Sequence, residues 1–162
     1  MTYTIRHITP ADLEAVTAVE AECFPAAEAA TRESLEQRIA TFPESFLVAE
    51  AGGKIIGFVN GCVTDDKVIC DEMFEESERH KPEGQYQSIF GLDVIPEYRC
   101  HGVAADLMNH LIEQTRAAGK KGLILTCKDR LIHYYEKFGY ENQGVSASVH
   151  GGAVWYDMLL EF

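Results

Sequence analysis

Several kinds of chemistry lack their raw materials in this chain. Its five cysteines are odd in number and form no C-x-x-C pair, which argues against a disulfide framework or a zinc ribbon. The six histidines are scattered, with no pair at ligand spacing on one helix face, so no metal is expected. Positive charge is scarce: 14 Lys and Arg stand against 26 Asp and Glu, a net charge of −12. Phosphate attraction dominates nucleic-acid affinity, so DNA or RNA is not an expected partner. No apolar run approaches the ~20 residues of a membrane helix, so no membrane partner is expected. The first residues alternate polar and apolar like a strand and lack the apolar core of a signal peptide, and a cytoplasmic location is the expectation. Repeats, low-complexity tracts and linkers are missing too. The 162 residues suit one domain, 1–162, around one core.

What remains has the balance of an ordinary folded protein, 46% hydrophobic and 25% charged. The acidic surface suits solubility, and it also favours cationic small molecules. The expected element order is β-α-α-β-β-(insertion)-β-α-β-α-β-β. A strand at Thr4 to Ile8 leads to a helix that Thr9, Pro10 and Asp12 open in capping-box fashion. Phe24-Pro25 ends that helix, and a second runs from about Thr31 and stops before Pro43. Gly52-Gly53 reads as a hairpin turn between two apolar runs. Thr64 to Gln85 is a polar, acidic insertion of the kind that is usually functional or mobile, with a short helix expected at Asp71 to Glu78. Tyr86 to Val94 reads as one strand, Gly102 to Ala118 as an amphipathic helix closed by Gly119, and Gly122 to Cys127 as a buried strand. Leu131 to Phe138 is a further helix, followed by strands near Tyr140 to Val149 and Ala153 to Glu161. One strand-helix-strand unit should be parallel with a right-handed crossover.

The informative segment is Arg99-Cys100-His101-Gly102-Val103-Ala104, between a strand and a helix. A helix N-terminus presents unpaired amides and partial positive charge, and small residues there let backbone approach an anion. Taken by itself, such a turn serves either anion binding or loop geometry alone. Together with the element order and with Tyr134-Tyr135-Glu136-Lys137-Phe138-Gly139-Tyr140 about thirty residues downstream, it resembles the GCN5-related N-acetyltransferase (GNAT) superfamily. In that superfamily a [Gln/Arg]-x-x-Gly-x-[Gly/Ala] turn holds a pyrophosphate. Cys23-Phe24-Pro25, Phe42-Pro43-Glu44-Ser45 and His80-Lys81-Pro82-Glu83-Gly84 are similar to segments of the arylalkylamine (serotonin) N-acetyltransferases.

The resemblance implies an α/β (α+β) fold: a mixed, mostly antiparallel twisted sheet of about seven strands, with splayed central parallel strands and about four flanking helices. It implies acetyl-coenzyme A as co-substrate, no metal, a small primary amine as acceptor, and direct attack in a ternary complex. A homodimer is a family-level option. Backbone groups of Leu92, Asp93 and Val94 would face the acetyl and pantetheine, an amide near Leu92 serving as a small oxyanion hole. Arg99, Cys100, His101, Gly102, Val103, Ala104 and Ala105 would hold the pyrophosphate. Tyr135 maps onto the family's general acid, although it also shares a packing face with Leu131 and Phe138. Phe24, Pro25 and Phe90 map onto the acceptor side, Phe24 being equally suited to the core.

One departure stands out. The His-x-His pair of the arylalkylamine enzymes is here Ser88 and Phe90, neither of them a base. A primary amine near pKa ~10.4 arrives protonated, so chemistry should be slow at neutral pH and rise with pH. A water chain touching Ser88, an acidic group such as Glu28 or Glu72, His80, or solvent are the open proton acceptors. A catalytically weak acyl-CoA-binding module and a protein or peptide N-acetyltransferase are the competing readings.

Overall fold

Gly52 and Gly53 both sit at positive φ, 57° and 80°, in a two-residue turn whose twist matches its flanking strands. Around it β2 (Phe46–Ala51) pairs antiparallel with β3 (Lys54–Asn60). The structure, a computed structural model, describes residues 2–162; Met1 lies outside them. β1 (Thr4–His7) precedes this hairpin, and two helices stand between: α1 (Leu13–Cys23) and α2 (Arg32–Thr41). Asp12 opens α1 by accepting from the Thr9 N–H at 2.9 Å and from the Arg6 guanidinium at 2.8 Å. Thr31 caps α2 by accepting from the Ser34 N–H at 3.1 Å.

After β3 come β4 (Val63–Thr64), the short α3 (Glu72–Glu75), β5 (Tyr86–Ile89) and β6 (Gly91–Val94). The chain then runs through α4 (Val103–Ala117), β7 (Gly122–Cys127), α5 (Ile132–Glu136), β8 (Glu141–Val145) and β9 (Tyr156–Glu161). One sheet has the order β1-β2-β3-β6 and the other β4-β5-β7-β9-β8. Among the described residues only β5 and β7 run parallel, with α4 as their crossover. Residues 46–49 and 55–60 are buried on both faces of the first sheet. Such strands need cover on each side, and α1 and α4 both pack against β3 and β6. The inward stripe of α4 is Val103, Leu107, Met108, Leu111 and Ile112, the amphipathic pattern read in its sequence.

The expected single strand from Tyr86 to Val94 is broken at Phe90. Before the break Ile89 pairs with Leu125 of β7; after it Gly91 pairs with Asn60 of β3. The strand changes sheets there, and β6 and β7 part. With the two-residue β4, this break raises the strand count from about seven to nine, and α3 raises the helix count from about four to five. The last two strands are shorter than their sequences suggest. Residues 146–155 form a loop instead, held by the Ser146 N–H donating to the Trp155 carbonyl at 2.8 Å. No helix among the described residues is long and apolar enough to cross a membrane.

Candidate functional site

The parting of β6 from β7 opens a cavity of about 260 Å³. Its walls include Ile89 to Leu92 on one side and Leu125 to Lys128 on the other. The register pairs Asp93 with Phe58, and the Ile95 N–H donates to Ile56 at 3.0 Å. An antiparallel ladder alternates every two residues, so the amides of Asp93 and Ile95 face β3. Those of Leu92 and Val94 face the gap. Val94 offers only its N–H, because its carbonyl already accepts from Arg99 Nε at 2.8 Å and Cys23 Sγ at 3.4 Å. Leu92 keeps both backbone groups toward the gap. Asp93 does not: its backbone belongs to the ladder and its side chain is buried toward α1 and α2.

Below the gap the chain makes the turn into α4. Cys100 and Gly102 take positive φ, 64° and 82°, which rotates successive N–H groups toward one side. The amides of Val103, Ala104 and Ala105 begin α4 and have no intrahelical partner. Cys100, His101 and Gly102 are exposed, and a Cβ on Gly102 would meet nothing within 4 Å. The turn is open to solvent, with no side chain filling it, and its amides fit a diphosphate. Arg99 is spent on Val94 and braces the turn against β6.

Tyr135 reaches the cavity from α5. Its ring is clasped edge-on by Tyr134 at 5.2 Å and Tyr140 at 6.0 Å. Burial raises its phenol above the ordinary tyrosine value, and the nearby Tyr134, Cys127 and Asp93 add to that. It stays protonated at neutral pH. Two cysteines in the cavity wall are poor nucleophiles, for burial pushes Cys127 up to about 11 and also raises Cys23.

Phe24, Pro25 and Phe90 all line the cavity. Over it lies a roof to which the Thr64 to Gln85 insertion contributes Phe74, while His150 and Trp155 were not anticipated. The Phe74 ring, from α3 in the insertion, stacks on His150 at 4.8 Å and lies 4.9 Å from Phe90. His150 Nε2 donates to the Glu28 carbonyl at 2.8 Å, and Lys128 pairs with the Glu28 carboxylate at 2.7 Å. Trp155 closes the far side. The single tryptophan of the chain, just past the Gly151-Gly152 turn, was the available signal for this roof. Glu28 is therefore in the site, tied to a lysine. Ser88 is not: it is fully buried, its hydroxyl donating to the Cys62 carbonyl at 2.8 Å. Glu72 is exposed outside the cavity. His80 faces elsewhere, accepting from the Val63 N–H at 2.9 Å with Glu44 at 3.3 Å on its other nitrogen.

Residues 13–140 match the family model described as Acetyltransferase (GNAT) family. The chain belongs to that family. Among its relatives is an uncharacterised N-acetyltransferase of Bacillus subtilis, YkwB, 29% identical over 69% of this chain and 54% of its own. The chain thus spans about half of that relative. A serotonin N-acetyltransferase of Mesocricetus auratus is 24% identical over 94% of this chain and 74% of its own. Solved GNAT folds superpose over nearly the whole chain. One is the GphF GNAT-like decarboxylase in complex with isobutyryl-CoA, with TM-score 0.82, 22% identity and 98% of each chain covered. Another is Arabidopsis thaliana Naa50 in complex with the bisubstrate analogue CoA-Ac-MVNAL, with TM-score 0.76, 16% identity and complete coverage of both chains. At those identities the likeness establishes the fold. Membership of the family places this domain among the GNAT acetyltransferases.

Proposed function

We propose that this GNAT domain transfers acetyl from acetyl-coenzyme A to a small primary amine by direct attack within a ternary complex. The observation that carries the reading is the roofed aromatic cavity beside Tyr135 and the free Leu92 amide. Its volume of about 260 Å³ lies just below the usual range for ligand pockets, about 300–1,000 Å³. That size suits a small molecule. Phe24, Phe74, Phe90 and Trp155 give it flat apolar walls, the surroundings an arylalkyl chain prefers.

The residues divide the work. The open amides of 100–105 hold the diphosphate, fixing the thioester's arm in the gap between β6 and β7. The Leu92 N–H polarises the acyl carbonyl and hydrogen-bonds the oxygen as it gains charge. The phenol of Tyr135 hydrogen-bonds the departing sulfur. Its raised pKa makes complete proton transfer to a thiolate near ~8.5 an uphill step, so the hydrogen bond is the larger contribution. The wall cysteines remain thiols, which favours direct attack over an acyl-enzyme.

The test is coenzyme A release from acetyl-CoA with a panel of arylalkylamines, alkylamines, polyamines and N-terminal peptides. Release driven by small amines, with peptides inert, is the expected result. Release by peptides alone would make the domain a protein N-acetyltransferase. Coenzyme A binding with no release by any acceptor would make it an acyl-CoA-binding module.

A further inference from the structure

A polar cluster with no part yet in the chemistry adjoins the cavity, Glu20 and Arg38 in its wall and Asn60 and Asp93 behind them. Glu20 of α1, Arg38 of α2, Asn60 at the end of β3 and Asp93 of β6 are each 6% exposed or less. Part of the cluster is satisfied. Glu20 accepts from the Ala30 N–H at 2.8 Å, and Arg38 donates to Asn60 at 3.1 Å and to the Phe74 carbonyl at 2.8 Å. The rest is left over among the described residues: Asn60 Nδ2 and Arg38 Nε have no hydrogen-bond partner, and the Asp93 carboxyl finds one only by sharing a proton with Glu20. Orphaned buried groups of this kind cost stability, and their gathering in one place points to a missing ligand.

Gly91 brings these groups close to the cavity wall. A Cβ built there would lie 3.0 Å from Asp93 Oδ1 and 3.7 Å from both Asn60 Nδ2 and Glu20 Oε1. Two acceptors and one donor converge on the face of a glycine, and Gly91, Glu20 and Arg38 all line the cavity. A side chain here would press on Asp93, and glycine leaves these groups within reach of the cavity. An amine nitrogen or its bridging water fits that arrangement.

We propose that Glu20 and Asp93, set by Asn60 and Arg38, form the subsite that receives the ammonium head of the acceptor and takes its proton. This rests on the amine reading above and supplies the base that Ser88 and Phe90 do not provide. Burial, then the neighbouring Glu20, raises the Asp93 carboxyl well above the carboxylate range, so Asp93 keeps its proton at neutral pH and can share it with Glu20. The other groups facing it are Arg38 from α2, Cys23 from α1 and Tyr135 from α5. Arg38, lowered to about 10 mainly by burial, is still a cation at neutral pH and disfavours a second cation beside it. The ammonium N–H proton passes to the free carboxylate, and the nitrogen lone pair forms the C–N bond. The C–S bond breaks with its electron pair leaving on sulfur, the new amide nitrogen gives up its second proton to that sulfur by way of the Tyr135 hydroxyl, and the carboxyl proton returns to solvent with the product.

The test uses Glu20→Gln, which keeps an acceptor for Ala30, and Asp93→Asn. Calorimetry of an arylalkylamine binding to the coenzyme A complex, in two buffers of different ionisation enthalpy, counts protons without turnover. The unaltered protein should bind the ammonium without releasing a proton. Glu20→Gln should bind about tenfold or more weakly and release about one proton per amine. In turnover, kcat/KM of the unaltered enzyme should vary little between about pH 6 and 9, in place of the rise with pH expected of a site without a base. That of Glu20→Gln should fall about 100-fold at pH 7 and climb about tenfold per pH unit as free amine accumulates. Asp93→Asn should steepen the profile in the same sense, whereas a purely structural loss would lower it evenly. Unchanged proton counts and profiles in both variants, with amine turnover intact, would overturn this inference alone. No amine binding or release by the unaltered protein would overturn the amine reading itself, and this inference with it.

Discussion

Replacing Tyr135 with phenylalanine isolates the chemistry of one oxygen. The ring stays, so its edge contacts with Tyr134 and Tyr140, at 5.2 Å and 6.0 Å, survive. What goes is a hydrogen bond from a buried phenol to a sulfur becoming anionic. A hydrogen bond to a charged group contributes about 1.5–3 kcal/mol. At 1.36 kcal/mol per decade, that is a fall in kcat of about tenfold to 150-fold. Because the phenol pKa is raised, the hydroxyl is protonated throughout the neutral range. The loss should therefore be the same at each pH from about 6 to 9, with no basic limb from this group below about pH 10. The diphosphate turn lies on another element, so KM for acetyl-CoA should change by less than about threefold. Steady-state thiol release across that pH range reads both quantities. Undiminished kcat would remove Tyr135 from the reaction. An equal rise in the Kd for coenzyme A would make it a packing residue.

Other outcomes follow from the same geometry. Gly102→Val places a β-branched residue at φ 82°, so it should lose about 1–2 kcal/mol of stability and weaken coenzyme A about tenfold, read by thermal melting and calorimetry. Leu111→Ala, at a position with no exposure, should cost about 2–5 kcal/mol in denaturant unfolding. Arg6 is the main reason that Asp12 is lowered to about 2. A depressed carboxyl stabilises the fold above its unfolded value and loses that effect as pH falls through the folded one. Arg6→Ala should thus cost about 1 kcal/mol at pH 7, discounted because the guanidinium is 36% exposed. That difference should disappear between about pH 4 and pH 2 in urea titrations.

Much of the fold was legible because local rules agreed with the tertiary structure. Thr31 caps α2, Gly52-Gly53 turns a hairpin, and the stripe of α4 faces inward, as their sequences indicated. The break at Phe90 was not legible, since Tyr86 to Val94 is apolar enough to read as one strand. Which sheet each half joins is decided by non-local pairing with β3 and β7. The same holds for the site. The turn before α4 and Tyr135 are carried by contiguous motifs, and Phe24, Pro25 and Phe90 were placed by resemblance. The roof of Phe74, His150 and Trp155 and the cluster of Glu20, Arg38, Asn60 and Asp93 draw on widely separated segments. Of these only Asp93 stood in a segment that the resemblance singled out, and there for its backbone rather than its carboxyl. Ser88 was misleading in the opposite sense: its position on β5 pointed to the chemistry, but its hydroxyl is already bonded to Cys62.

The central claim is that the turn before α4 grips a diphosphate and so delivers a thioester to Leu92 and Tyr135. Amide chemical shifts followed by NMR during titration with coenzyme A, and separately with pantetheine, test it most directly. Coenzyme A should move the amides of Cys100 to Ala105 most, together with Leu92 and Val94, and pantetheine should move the second group only. Coenzyme A shifts that spare residues 100–105, or no binding at all, would contradict the account.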